Sequence, residues 1–215
     1  MLNKSAIKTR RSIIDACLKM NELGINQGTS GNISVREGAG ILITPASMPY
    51  DAMQPEDIVF VDQDGTADGR LRPSSEWRLH LGIMKAKPEV QAIAHAHPTY
   101  GTTIAIMGLG IPPIHYMIAV AGGSDIRCAP YATFGSEELS ANAIAALQER
   151  KACLLAHHGV IATGTSLADA LWLAVEVETL ARQYHGALQL GQPPLLSEEE
   201  IRTVLSRMAN YGYKD

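Results

Sequence analysis

Val90-Gln91-Ala92-Ile93-Ala94-His95-Ala96-His97-Pro98, "VQAIAHAHP", is the stretch from which the fold can be read. It is short, apolar and stopped by proline, the pattern of a buried strand. Side chains alternate along a strand, so His95 and His97 project on one face at its end, a common way of offering a metal two ligands. Taken alone, the pair is equally well explained by one hydrogen-bonded core histidine and one surface histidine. A second run, "ACLLAHHG" (Ala152 to Gly159), has the same character and also ends in histidine. If the two strands are neighbours in one sheet, their ends converge and His157 or His158 completes a three-imidazole set. His158 is favoured because Gly159 after it lets the chain turn sharply, which leaves His157 facing away as a packing or supporting residue.

The surrounding segments predict helices and strands in alternation. Ser5 to about Leu23 has amphipathic helical spacing and ends at Gly24, whereas "ILITP" (Ile41 to Pro45) and "DIVFVD" (Asp57 to Asp62) read as strands. "RPSSEWRLHLGIMKAKP" predicts a helix that starts near Pro73 to Ser75 and stops at Pro88. A short helix follows over Thr99 to Met107, then helices over Ser136 to Arg150, from Ser166 to about Leu190, and from Ser197 onward. No repeat or linker divides the chain, so residues 1–215 read as one α/β layered domain with helices on both faces of a sheet.

Composition narrows the function. The chain carries 18 basic and 22 acidic residues for a net charge of −4, and no basic run exceeds Lys8-Thr9-Arg10-Arg11. Neither a nucleic-acid surface nor an anionic-membrane anchor is expected. The three cysteines, Cys17, Cys128 and Cys153, are far apart and form no CxxC pair, which fits reduced thiols in a cytoplasmic protein. No leader peptide or membrane span is expected.

Three neutral imidazoles leave the charge of a divalent ion uncancelled and at least one coordination position open, which describes a catalytic site more than a structural one. Zinc is the default for such a donor set. Glu76 stands at the start of its helix behind Ser74 and Ser75, and free backbone N–H groups there suit an anion as well as they suit ordinary capping. "GTSGNIS", with Gly28, Gly31 and Asn32, is a second loop rich in donors. His80 shares the helix face of Glu76 and reads as a packing or surface residue, and His185 as structural or solvent-facing. Tyr116, in "PPIHYMIAVAGG", is a phenol that could exchange a proton or simply pack.

"GTSGNISVR", "ILITP", "PSSEWRLH", "AHAHP", "IHYMIAVAGG", "CAPYATFG" and "HHG", in this order and at these separations, resemble the class II aldolase/adducin family over nearly the whole chain. The resemblance implies a mostly antiparallel central sheet flanked by helices and a homotetramer with active sites between subunits. It implies Zn2+ held by His95, His97 and His158, with Glu76 as catalytic acid/base. Gly31, Asn32, Thr44, Ser74 and Ser75 would contact phosphate and substrate, while Tyr116 and Tyr211 reach in from a neighbouring subunit. The implied reaction cleaves a ketose 1-phosphate, L-fuculose 1-phosphate foremost, to dihydroxyacetone phosphate and an aldehyde such as L-lactaldehyde. Related activities on the same scaffold are aldol cleavage of 5-deoxyribulose or methylthioribulose 1-phosphate, ribulose-phosphate 4-epimerisation and methylthioribulose-phosphate dehydration. Glu76, where the epimerases carry Asp, favours the aldolase. Ala46-Ser47 replaces the Thr-Gly that follows "LITP" in aldolases for fuculose phosphate, so one hydroxyl is lost and another gained. The non-catalytic adducin branch would lack ligands that are all present here.

Overall fold

A computed structural model describes residues 4–209. Within them an eight-stranded sheet has the order β4-β3-β2-β1-β5-β8-β7-β6. Its strands are β1 (Asn32–Glu37), β2 (Gly40–Ile43), β3 (Val59–Val61), β4 (Ala67–Asp68), β5 (Ala92–Ala96), β6 (Arg127–Ala129), β7 (Ala152–Leu155) and β8 (Gly159–Gly164). All neighbours are antiparallel except the edge pair β6 and β7, so the sheet is mixed.

Alternation along the strands sorts side chains to the two faces. Ala92, Ala94 and Ala96 of β5 join Val160 and Ala162 of β8 in one apolar layer. That layer is covered by α1 (Lys4–Glu22), α3 (Thr99–Ile106) and the long α5 (Leu167–Leu190). The alanine row presents a low surface on which α5 can sit close to the strands. Ile93, Ile161, Cys153 and Leu155 point the other way, beneath α2 (Trp77–Ala86) and α4 (Glu137–Ala146). The chain finishes in α6 (Glu198–Ala209), and no described helix is long and apolar enough to cross a membrane.

Two elements depart from the sequence reading. Asn32-Ile33-Ser34, read as the end of the loop "GTSGNIS", opens the central strand β1, which pairs with β5 so that Asn32 stands opposite His95. "AHHG" does not end the sheet but is a tight turn into β8, and β8 rather than β7 lies beside β5. His158 N donates to Leu155 O at 3.0 Å across that turn, and His157 takes the left-handed φ of 54° that such a reversal needs.

Candidate metal centre

His95 is fully buried at the end of β5, and His97 follows two residues later on the same face. The turn between β7 and β8 brings His158 to the same point. Gly159 permits the approach: a Cβ there would lie 2.5 Å from Ala96 O and 2.8 Å from His97 Cδ2. The three rings form a near-symmetric propeller, with centroids 4.8–5.0 Å apart and planes crossing at 75–79°. His95 Nε2 and His97 Nε2 are 3.0 Å apart.

Glu76 closes the fourth side. It is buried at the N-cap position of α2, one residue ahead of the helix instead of in its first turn. Its Oε2 accepts from Asn32 Nδ2 at 2.9 Å and lies 3.0 Å from His95 Nε2. Oε1 is 3.3 Å from His158 Nε2, yet among the described residues it has no hydrogen-bond partner. One turn further along α2, His80 Nδ1 and Ser34 Oγ meet at 2.7 Å, a second buried rung between α2 and β1. His80 is therefore a core histidine.

Charge in the cluster follows from these distances. Burial alone would push the Glu76 carboxyl up, but His95, His158 and Asn32 hold it well below the usual carboxylate range. Burial lowers the His95 imidazole, and the carboxylate of Glu76 more than reverses this. Burial and the neighbouring His95 lower both His97 and His158 to about 4.

These residues fit a divalent ion. His95 Nδ1–H donates to Val160 O at 3.0 Å, which fixes the ring and leaves the Nε2 lone pair facing the cluster. Nitrogens bound to a tetrahedral ion at about 2.0–2.1 Å stand roughly 3.3 Å apart, close to the 3.0 Å between His95 and His97, and the ligand atoms of all three histidines lie within 4.8 Å of one another. The orphaned Oε1 of Glu76 and the 3.0 Å approach of its Oε2 to His95 Nε2 mark the place a cation would take. His95, His97 and His158 form the candidate metal group among the described residues.

Two cavities adjoin Glu76, and the first also reaches two of the imidazoles. The larger, about 320 Å³, is lined by Glu76, His97, His158 and Ser75, with Tyr131 and Phe134 exposed at its rim. The smaller, about 100 Å³, is almost wholly polar and lies between two loops, with Gly31, Asn32, Ser47, Ser74 and Ser75 around it. Backbone bonds from Ser74 N to Thr44 O and from Ala46 N to Arg72 O join its walls. Gly31 is required where this loop crosses β5, since a Cβ would lie 2.5 Å from His95 O.

Most of the expected residues thus meet at one place, and the exceptions are specific. Thr44 is 1% exposed, supports the small cavity through its backbone and does not line it. The chain's own Tyr116 is 51% exposed in a 3-10 segment and lines neither cavity. Tyr211 lies outside the described residues. His157, expected to face away, stands exposed on the rim of the larger cavity. Asn26 was not read from the sequence: its Oδ1 accepts from His97 N and Ser30 Oγ, while its Nδ2 donates to the buried Tyr50 hydroxyl. Only its place in "GINQG", just before the donor-rich loop, could have drawn notice.

The Class II Aldolase and Adducin N-terminal domain family model matches residues 11–185. The chain belongs to this family and is a metal-dependent aldolase, a carbon–carbon lyase. It is 50% identical over 208 residues to the L-fuculose phosphate aldolase of Escherichia coli, covering 96% of this chain and 97% of that one. It is also 50% identical over 208 residues to the 5-methylthioribulose-1-phosphate/5-deoxyribulose-1-phosphate aldolase of Rhodospirillum rubrum, covering 97% and 94%. A solved L-fuculose 1-phosphate aldolase superposes with a TM-score of 0.92 at 36% identity, covering 97% of this chain and 98% of that one.

Proposed function

We propose that the protein is a zinc-dependent aldolase that reversibly cleaves L-fuculose 1-phosphate to dihydroxyacetone phosphate and L-lactaldehyde. The observation that carries this reading is the three-imidazole propeller with Glu76 against it, the same Glu76 also lining a small polar cavity. The cavity has the size and donors for a phosphate, with the hydroxyls of Ser47, Ser74 and Ser75 and the amide of Asn32 in its wall. A substrate anchored there by its phosphate extends its carbonyl carbon toward the imidazoles.

His95, His97 and His158 would hold zinc, which when bound polarises the ketose carbonyl and stabilises the negative charge left at C3 after the C3–C4 bond breaks. Glu76 carries the proton for C3. Held ionised by its neighbours, it takes that proton in the condensation direction and returns it in cleavage. Asn32 Nδ2 keeps the carboxylate turned inward by its hydrogen bond to Oε2. The C4 hydroxyl must lose a proton as it becomes the aldehyde, and Tyr116 of a neighbouring subunit is assigned that task in a homotetramer. Its exposure in the single chain suits a residue that serves another copy. The reduced thiols of Cys17, Cys128 and Cys153 suit a cytoplasmic enzyme.

A second reading is supported by the Rhodospirillum rubrum relative, equal in identity to the Escherichia coli one. It gives the same chemistry on 5-methylthioribulose or 5-deoxyribulose 1-phosphate. The aldehyde end of any such substrate meets the rim of Tyr131, Ala132 and Phe134. An apolar wall discriminates by only about 1–3 kcal/mol per methylene-sized change. The test is kcat/KM for the three ketose phosphates, read as dihydroxyacetone phosphate release. Fuculose phosphate first supports the proposal, a deoxy or methylthio substrate first supports the second reading, and no release from any refutes both.

A further inference from the structure

Each of the three imidazoles is connected to α3, directly or through β8, and α3 has no side-chain cap of its own. It begins at Thr99, and the N-cap residue Pro98, next after His97, provides no side-chain hydrogen bond to the first turn. The N–H groups of a first turn have no partner within the helix and need one from elsewhere. Glu178, from the middle of α5, supplies it. Its carboxylate is 6% exposed and accepts from Tyr100 N at 3.0 Å and from Gly101 N at 2.7 Å.

The contact is built from both sides. Gly101 lets α3 lie against β8: a Cβ there would be 2.8 Å from Val160 Cγ2 and 3.5 Å from Glu178 Oε2. Arg182, one turn along α5, places its guanidinium 5.0 Å from the centre of the Tyr100 ring. From this anchored helix three connections run to the cluster. His97 lies two residues before the helix. Val160, which α3 packs on at Gly101, carries the carbonyl that orients His95. At the far end, Ala105 O accepts from His157 N at 3.2 Å and so holds the turn bearing His158.

We propose that Glu178 is a positioning residue for the metal centre: by capping α3 it sets the mutual register of His95, His97 and His158. The inference rests on the metal reading above. Loss of a group that hydrogen-bonds a metal ligand directly typically costs ten- to a hundredfold in metal affinity, and Glu178, which reaches the ligands only through α3, is expected at the lower end of that range. Glu178→Gln keeps shape and volume but turns one N–H donor toward a backbone N–H.

The experiment is zinc titration of the metal-stripped protein against a competing chromophoric chelator, with Co2+ absorption as a geometric readout and thermal melting of the same metal-free samples. Glu178→Gln is expected to bind zinc about tenfold more weakly, with an altered Co2+ spectrum and near-normal kcat at saturating zinc. A variant that melts lower but binds zinc as tightly as the wild type overturns the inference and leaves a merely structural capping role. If the wild type takes up no zinc, the metal reading itself fails. Gly101→Ala provides a second test should Glu178→Gln not fold. It adds helix propensity and keeps the carboxylate, yet is expected to weaken zinc because α3 must move off Val160. Unchanged zinc affinity in that variant also counts against the proposal.

Discussion

Glu76→Gln separates catalysis from assembly at this site. The amide matches the carboxylate in shape, and its oxygen can still accept from Asn32 Nδ2, now at 2.9 Å from Oε2. The three imidazoles are untouched. What disappears is a proton acceptor that its neighbours hold ionised. General acid–base catalysis contributes about 10²–10⁴ in rate, or roughly 2.7–5.5 kcal/mol of barrier. The variant is therefore expected to lose about two to four decades of kcat while keeping most of its metal. The assay is coupled detection of dihydroxyacetone phosphate, with metal per subunit measured on the same preparation. Full metal with kcat within a few fold of wild type would refute the role given to Glu76. Parallel loss of metal and kcat would make it a ligand first.

Three further outcomes are expected. Ser47 has a left-handed φ of 56°, a conformation that costs an L-residue roughly 1–2 kcal/mol, so Ser47→Gly should gain about 0.5–1 kcal/mol after glycine's larger chain entropy. A raised melting temperature together with a KM about tenfold higher for the phosphate substrate is expected, and an unchanged KM would remove Ser47 from the phosphate site. Gly159→Ala drives a methyl against Ala96 O and the His97 ring, so zinc affinity should fall tenfold or more; equal affinity by chelator competition would contradict the geometry. Burial lowers His80 to about 3 and His97 and His158 to about 4, against an ordinary 6.5. The unfolded chain then binds more protons than the folded one, so metal-free protein should keep this stability above pH 6.5 and lose it progressively toward pH 4. His95, raised by Glu76, acts in the opposite sense at higher pH. Melting curves in chelator at several pH values measure the balance, and a flat profile from pH 7 to 4 would contradict it.

The site was more legible than the sheet that carries it. Period-two spacing showed that His95 and His97 share a face, and a glycine after His158 marked the sharp turn. Strand β1 was hidden because Gly31, Asn32 and Ser34 look like loop residues. Here Asn32 and Ser34 are polar for the sake of buried partners, Glu76 and His80, which lie 44 and 46 residues away. The β7–β8 reversal was hidden because His157 holds a positive φ that local sequence seldom signals for a residue other than glycine or asparagine. Ser74 and Ser75 suggested a helix start. The helix begins later, at Trp77, with Ser74 Oγ accepting from Glu76 N at 3.3 Å ahead of it. Glu178 could not be read at all, because its partners Tyr100 and Gly101 are 78 and 77 residues distant and join it only through the packing of α3 on α5.

The most direct test of the account is dihydroxyacetone phosphate release from L-fuculose 1-phosphate by metal-stripped protein, before and after zinc is returned. The expected result is negligible release from stripped protein and full recovery at about one zinc per subunit, as a three-imidazole site with an open position requires. Undiminished release from protein verified to be metal-free would contradict the assignment of His95, His97 and His158 to the reaction.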